Sequence, residues 1–192
     1  MPPARLHKEN LVRAAMRLFR RQGYAATGLQ QILELSGAPR GSLYHYFPGG
    51  KEEIGAAAVE LAGREVATLL EGLAAERASA ADFVEAWFGQ YADWMAESGF
   101  ESGCPIATTL LETAPRSQRI TAAGRQALER WTAIVAGVFA RDGSPPAEAA
   151  LGARHAIATL EGALVLTRVS ATPDELRAAG RRVADGLRAP AV

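Results

Sequence analysis

The sequence predicts an all-α fold, and three observations carry that prediction. Apolar residues recur at three- and four-residue spacing along most of the chain. Breaker clusters, Pro48 to Gly50 and Gly143 to Pro146, fall between those stretches. No segment shows a convincing strand pattern, and there is neither an internal repeat nor a low-complexity tract.

The elements follow in order. A first helix over about 4–22 places Leu11, Ala14, Ala15, Leu18 and Phe19 on one stripe and arginines elsewhere, and Gly23 ends it. Thr27 is a ready N-cap for a second helix, because its hydroxyl can accept an orphan backbone N–H. Ile32, Leu33 and Leu35 supply that helix's apolar side, and Ser36 with Gly37 stops it. Pro39 restarts a third helix at a first-turn position where its missing N–H costs nothing. Leu43 and Phe47, four apart, belong to the core, which leaves Arg40, Ser42, Tyr44, His45 and Tyr46 as a polar-aromatic cluster. Lys51, Glu52 and Glu53 open a fourth helix that runs to about Arg77, with Ile54, Val59, Leu61, Val66, Leu69, Leu70 and Leu73 apolar. A fifth spans roughly 80–98, a sixth runs from Pro105 through Leu111, and a seventh covers 116–140. An eighth covers 147–170, and Pro173 to Leu187 make the ninth.

At 48% hydrophobic and 22% charged residues, the 192-residue chain can bury a proper core. No run of about 18 apolar residues occurs, so no membrane span is expected. The first ten residues hold no apolar segment before a cleavage site, so no signal peptide is expected. The single cysteine, Cys104, excludes an internal disulfide and fits a reducing cytoplasm.

The net charge of zero conceals a split. Residues 1–51 hold eight basic side chains (Arg5, Lys8, Arg13, Arg17, Arg20, Arg21, Arg40, Lys51) against Glu9 and Glu34, which is +6 and leaves −6 for the rest. Such asymmetry points to a nucleic-acid-facing module joined to something else. Helix, short glycine-containing turn, helix is also the geometry that presents a second helix to the DNA major groove. An ordinary helical hairpin with a solvated basic face is the plainer alternative. The chain accordingly divides into a helix-turn-helix domain, 1–50, and a larger helical domain, 51–192.

Thr27, Ile32, Ser36, Gly37, then Gly41 to Phe47 with Lys51 and Glu52, resemble the DNA-binding domain of the TetR family of bacterial regulators. The signature covers about residues 8–55. Gly49 to Glu53, with Gly103 to Ala107, is similar to the branch that includes lincomycin- and flavonoid-responsive repressors. The resemblance implies a cytoplasmic bacterial homodimer whose N-terminal domain binds a palindromic operator in double-stranded DNA. It further implies a C-terminal domain with a small-molecule pocket and the dimer interface, ligand binding releasing the DNA. Carried over residue by residue, Thr27 would contact a phosphate, Arg40 and Ser42 would face base edges, and Tyr44, His45 and Lys51 would grip phosphate. Gln30 and Gln31 sit where many relatives have a charged residue, so base preference does not transfer; Gln30 belongs to the expected DNA-contacting set. Pro39 and Gly41 complete the expected DNA-contacting set, Gly41 because it keeps the helix surface low. Arginine can pair with guanine O6 and N7, while tyrosine, lysine and threonine mostly position a protein on the backbone.

In the larger domain Phe83, Trp87, Tyr91 and Trp94 repeat on one helical face. Such a stripe suits a core as well as a pocket. The pocket reading draws on Trp87, Tyr91, Trp94, Trp131 and the polar Thr108 and Glu161 within apolar stretches. Cys104, beside Pro105 at a helix start where a thiolate would be stabilised, would line it too; the alternative is a lone small hydrophobe in a packed loop. Small residues on the last two helices allow close approach, either as an intramolecular hairpin or as a four-helix dimer interface. The interface residues would be Leu151, His155, Ala158, Leu176, Val183 and Leu187. An all-α enzyme is the competing class, but no nucleophile triad, phosphate loop, H-E-x-x-H helix or cysteine pair supports it. A DNA-binding activator or architectural protein without small-molecule control is the other alternative. No cofactor or metal is expected.

Overall fold

The computed structural model describes residues 3–188, with side chains from Leu6 onward; Arg5, counted in the basic excess, lies outside the described side chains. Nine helices occur among the described residues: α1 (Pro3–Gln22), α2 (Leu29–Ser36), α3 (Arg40–Tyr46), α4 (Gly50–Glu76), α5 (Ala80–Glu97), α6 (Ala107–Thr113), α7 (Gln118–Arg141), α8 (Pro146–Ser170) and α9 (Asp174–Arg188). No strand occurs among them. The all-α expectation therefore holds. The sixth helix starts later than expected, because Pro105 and Ile106 form a turn and Ile106 takes the N-cap.

The chain forms two compact units, one of Met1–Glu65 with Cys104–Leu128 and one of Val66–Gly103 with Glu129–Val192. The core of the first unit joins Leu11, Ala15 and Phe19 of α1 to Ile32 and Leu33 of α2, Leu43 and Phe47 around α3, and Ile54 and Ala58 of α4. Each such fully buried Leu, Ile or Phe contributes about 1.5–3 kcal/mol relative to exposure. Leu35, expected on the apolar side of α2, is instead 50% exposed, because the Ile32–Leu33 face alone meets the core. Gly55 lies so close to Tyr24 and Ile120 that a Cβ there would meet Tyr24 at 2.9 Å.

In the second unit α5 is the central helix. Phe83, Val84, Trp87, Phe88, Tyr91, Ala92 and Met95 are all buried, and α9 and α8 pack around them. Ser79 caps α5 by accepting the Asp82 N–H at 3.1 Å. Gly180 of α9 sits directly against Phe88, where an added Cβ would lie 2.7 Å from the Phe88 Cβ. By length and composition α8 is apolar enough to cross a membrane. Its apolarity divides between a buried side (Ala153, Ala156, Leu160, Leu164) and an exposed one (Leu151, Val165, Leu166, Val169).

Candidate nucleic-acid interface

The α1–α2 turn is built from side chains that serve the backbone. Thr27 is wholly buried; its hydroxyl donates to the Gly23 carbonyl at 2.7 Å and accepts from Gln22 Nε2 at 3.3 Å. The expected N-cap role therefore falls elsewhere. Gly28 occupies the cap position, and its N–H donates to Gln31 Oε1 at 2.8 Å. A glutamine three residues past the cap, the reach-back half of a capping box, is the signal that could have disclosed this. Thr27 faces inward and spends its proton on the turn.

The α2–α3 turn follows the expected chemistry more closely. Gly37 takes the left-handed conformation at φ 64°, and its N–H donates to the Leu33 carbonyl at 3.1 Å. Ser36 Oγ donates to the same carbonyl at 3.0 Å and accepts the Ala38 N–H at 3.2 Å. Pro39, expected as the first helical residue, is the N-cap of α3, with φ −59°.

Leu43 and Phe47 are buried and seat α3 on the core. The Lys8 ammonium lies 5.6 Å from the Phe47 ring centroid. Arg40 with Tyr44, and Gly41 with His45, are pairs four residues apart, and all four residues are exposed. Tyr46 is half-buried with its ring 4.8 Å from that of His45. Ser42 is also half-buried, and its hydroxyl donates to the Pro39 carbonyl at 2.6 Å. Gln30 is exposed on α2, where its amide donates to Glu34 at 2.8 Å.

Lys51 is held more tightly than a solvated phosphate ligand. Its Nζ donates to the Ala25 carbonyl at 3.2 Å and lies 4.5 Å over the Tyr24 ring. Burial pushes the ammonium below its ordinary value, and the Glu112 charge partly offsets that. Burial, and then Glu52, push the Tyr24 phenol upward. Glu112 of α6 reaches the same turn, accepting the N–H of Tyr24 at 3.1 Å and of Ala25 at 2.6 Å. Sequence reasoning missed Glu112, because it lies 87 positions from Ala25 and no local spacing announces it.

In the second unit Trp87, Tyr91 and Trp131 are buried, and Trp94 and Glu161 are half-buried. The Tyr91 and Trp94 rings are 5.3 Å apart. Among the described residues the buried Trp87 indole N–H has no hydrogen-bond acceptor. Cys104 and Thr108 belong to the first unit; Cys104 is buried, and the Thr108 hydroxyl donates to its carbonyl at 3.3 Å. On α8 Leu151, His155 and Ala158 are exposed, and on α9 Val183 and Leu187 are half-buried. Leu176, expected at an interface between copies, is fully buried in its own chain, so that surface does not include it. An open pocket of about 420 Å³ brings together Phe139, Gly152, His155, Thr159, Arg182, Val183 and Leu187. It gathers three of the residues expected at the dimer interface and none of those expected around a ligand.

Residues 11–61 match the family described as bacterial regulatory proteins, tetR family. Residues 80–182 match the transcriptional regulator LmrA/YxaF-like C-terminal domain. An uncharacterized HTH-type transcriptional regulator of Mycobacterium tuberculosis is 36% identical over 167 residues, 84% of each chain. The HTH-type transcriptional regulator LmrA of Bacillus subtilis is 30% identical, over 86% of this chain and 89% of that protein. Among solved structures, the regulatory protein TetR from Rhodobacter sphaeroides superposes with a TM-score of 0.83 at 26% identity, covering 94% of this chain and 98% of the other.

Proposed function

This chain belongs to the TetR family of DNA-binding transcriptional regulators, and on that premise we propose that it is a repressor that binds a palindromic operator as a homodimer and is released by a small hydrophobic or aromatic ligand. The family and the relatives are transcriptional regulators, not enzymes. The single observation that carries the DNA-reading role is the outward set on α3: Arg40, Gly41, Tyr44 and His45 exposed on a helix that Leu43 and Phe47 fix from behind. Arg40 reads base edges, Tyr44 and His45 grip phosphate, and Lys51 adds a third phosphate contact with the protons left over from its bond to Ala25. In this division residues 1–50, joined by Lys51 at the start of α4, bind DNA, and the rest of residues 51–192 bind the ligand and dimerise.

Dimerisation is supported by the exposed apolar side of α8. Leu151 and Val165 are 64% and 62% exposed, and Ala158 lies midway between them at seven-residue spacing. A single half-site reader on palindromic DNA needs such a two-fold partner. Ligand control is supported by the buried Trp87 N–H, which has no acceptor among the described residues and would donate to a bound ligand. Such a regulator works in the bacterial cytoplasm. The test is to footprint the protein on DNA flanking its own gene and then screen small aromatic compounds for release. A protected palindrome released by such a compound supports the reading; no protection contradicts it.

A further inference from the structure

The peptide units of the α1–α2 turn are gripped from two elements with opposite polarity. Glu112 of α6 takes the N–H groups of Tyr24 and Ala25, while Lys51 of α4 donates to the Ala25 carbonyl. The neighbouring residue is fitted to the carboxylate. Gly23 has φ +86°, and a Cβ on it would lie 2.3 Å from Glu112 Oε1. A side chain there would push Glu112 off the turn. Only Ala26 and Thr27 separate the gripped peptide from Gly28, the cap of α2. The turn's geometry is thereby passed into the start of the helix-turn-helix pair.

We propose that Glu112 is a positioning residue for operator binding: by holding the Tyr24 and Ala25 amides it lets α6 set how α2 and α3 are presented to DNA. The inference rests on the reading of α3 as the DNA-reading helix. It makes a prediction opposite in sign to simple electrostatics. Removing a negative charge from a unit that binds phosphates through its basic groups should raise DNA affinity. Removing a positioning carboxylate should lower it.

Glu112→Gln and Glu112→Ala would be made in the full chain and titrated onto a duplex that the wild-type protein selects. Glutamine keeps the length but offers one acceptor oxygen where two amides need one each. Both variants should bind roughly tenfold more weakly, as expected for lost hydrogen bonds to a charged group. The slope of log affinity against log salt should stay unchanged, since Glu112 neutralises no phosphate. Amide exchange supplies a readout independent of DNA: Tyr24 and Ala25 should lose protection while the Leu11, Ile32 and Leu43 core keeps it. Equal or tighter operator binding by Glu112→Gln, or unchanged exchange at Tyr24 and Ala25, overturns the inference alone. Failure of the wild-type protein to select any duplex overturns it together with the reading of α3.

Discussion

Lys51 donates from Nζ to the carbonyl oxygen of Ala25 at 3.2 Å, 26 positions back along the chain. The bond places an ammonium against the Tyr24 ring, where burial favours the neutral amine and lowers its pKa below 10.5. The unfolded chain then holds that proton more tightly than the folded one. Stability therefore rises with pH through the window just under 10.5, and the gain is absent at lower pH, where both states carry the proton. The chain has two lysines, Lys8 and Lys51, so a carbon-detected NMR titration reads them separately. Lys51 should titrate below 10.5, and lower still in Glu112→Gln, because the Glu112 charge raises it.

Tyr44 is 65% exposed, so its truncation leaves the core untouched. Tyr44→Ala should weaken binding by about 1 kcal/mol, similarly on all sequences, because a phosphate contact carries no base information. Gel-shift titrations on selected and scrambled duplexes, with thermal unfolding as the control, measure this.

Gly180→Ala should destabilise the protein by about 1–3 kcal/mol, an overpacking cost. The new Cβ would stand 2.7 Å from the Phe88 Cβ, which belongs to the central helix of its unit and cannot swing away. Urea unfolding should show a lower midpoint with an unchanged slope.

Leu151→Glu and Val165→Glu place charge on the exposed side of α8. Each should shift the protein from dimer to monomer in light scattering without loss of helical signal. Dimers that persist in both variants would move the interface elsewhere.

The helices were legible in the sequence because each rests on local periodicity and breakers. Gly37 stops α2 through a rule that needs no distant partner. Leu43 and Phe47 likewise declared themselves as the buried side of α3. The α1–α2 turn was not legible, since its order depends on where side chains point in space. Thr27 turned inward to Gly23, and Gly28 took the cap with Gln31 accepting its N–H. Glu112 and Lys51 arrive from α6 and α4, separations over which helical spacing says nothing. Leu176 shows the same limit. Its stripe predicted an apolar face, but only packing against α5 and α8 decided that the face is internal.

On the proposed reading, α3 reads bases through Arg40. Selection of bound duplexes from a random pool by wild-type protein and by Arg40→Ala, followed by sequencing, tests it most directly. The wild-type protein should show a palindromic preference, and Arg40→Ala should lose preference at a matching position in each half-site, worth about 1–3 kcal/mol. An identical preference from both proteins would contradict it.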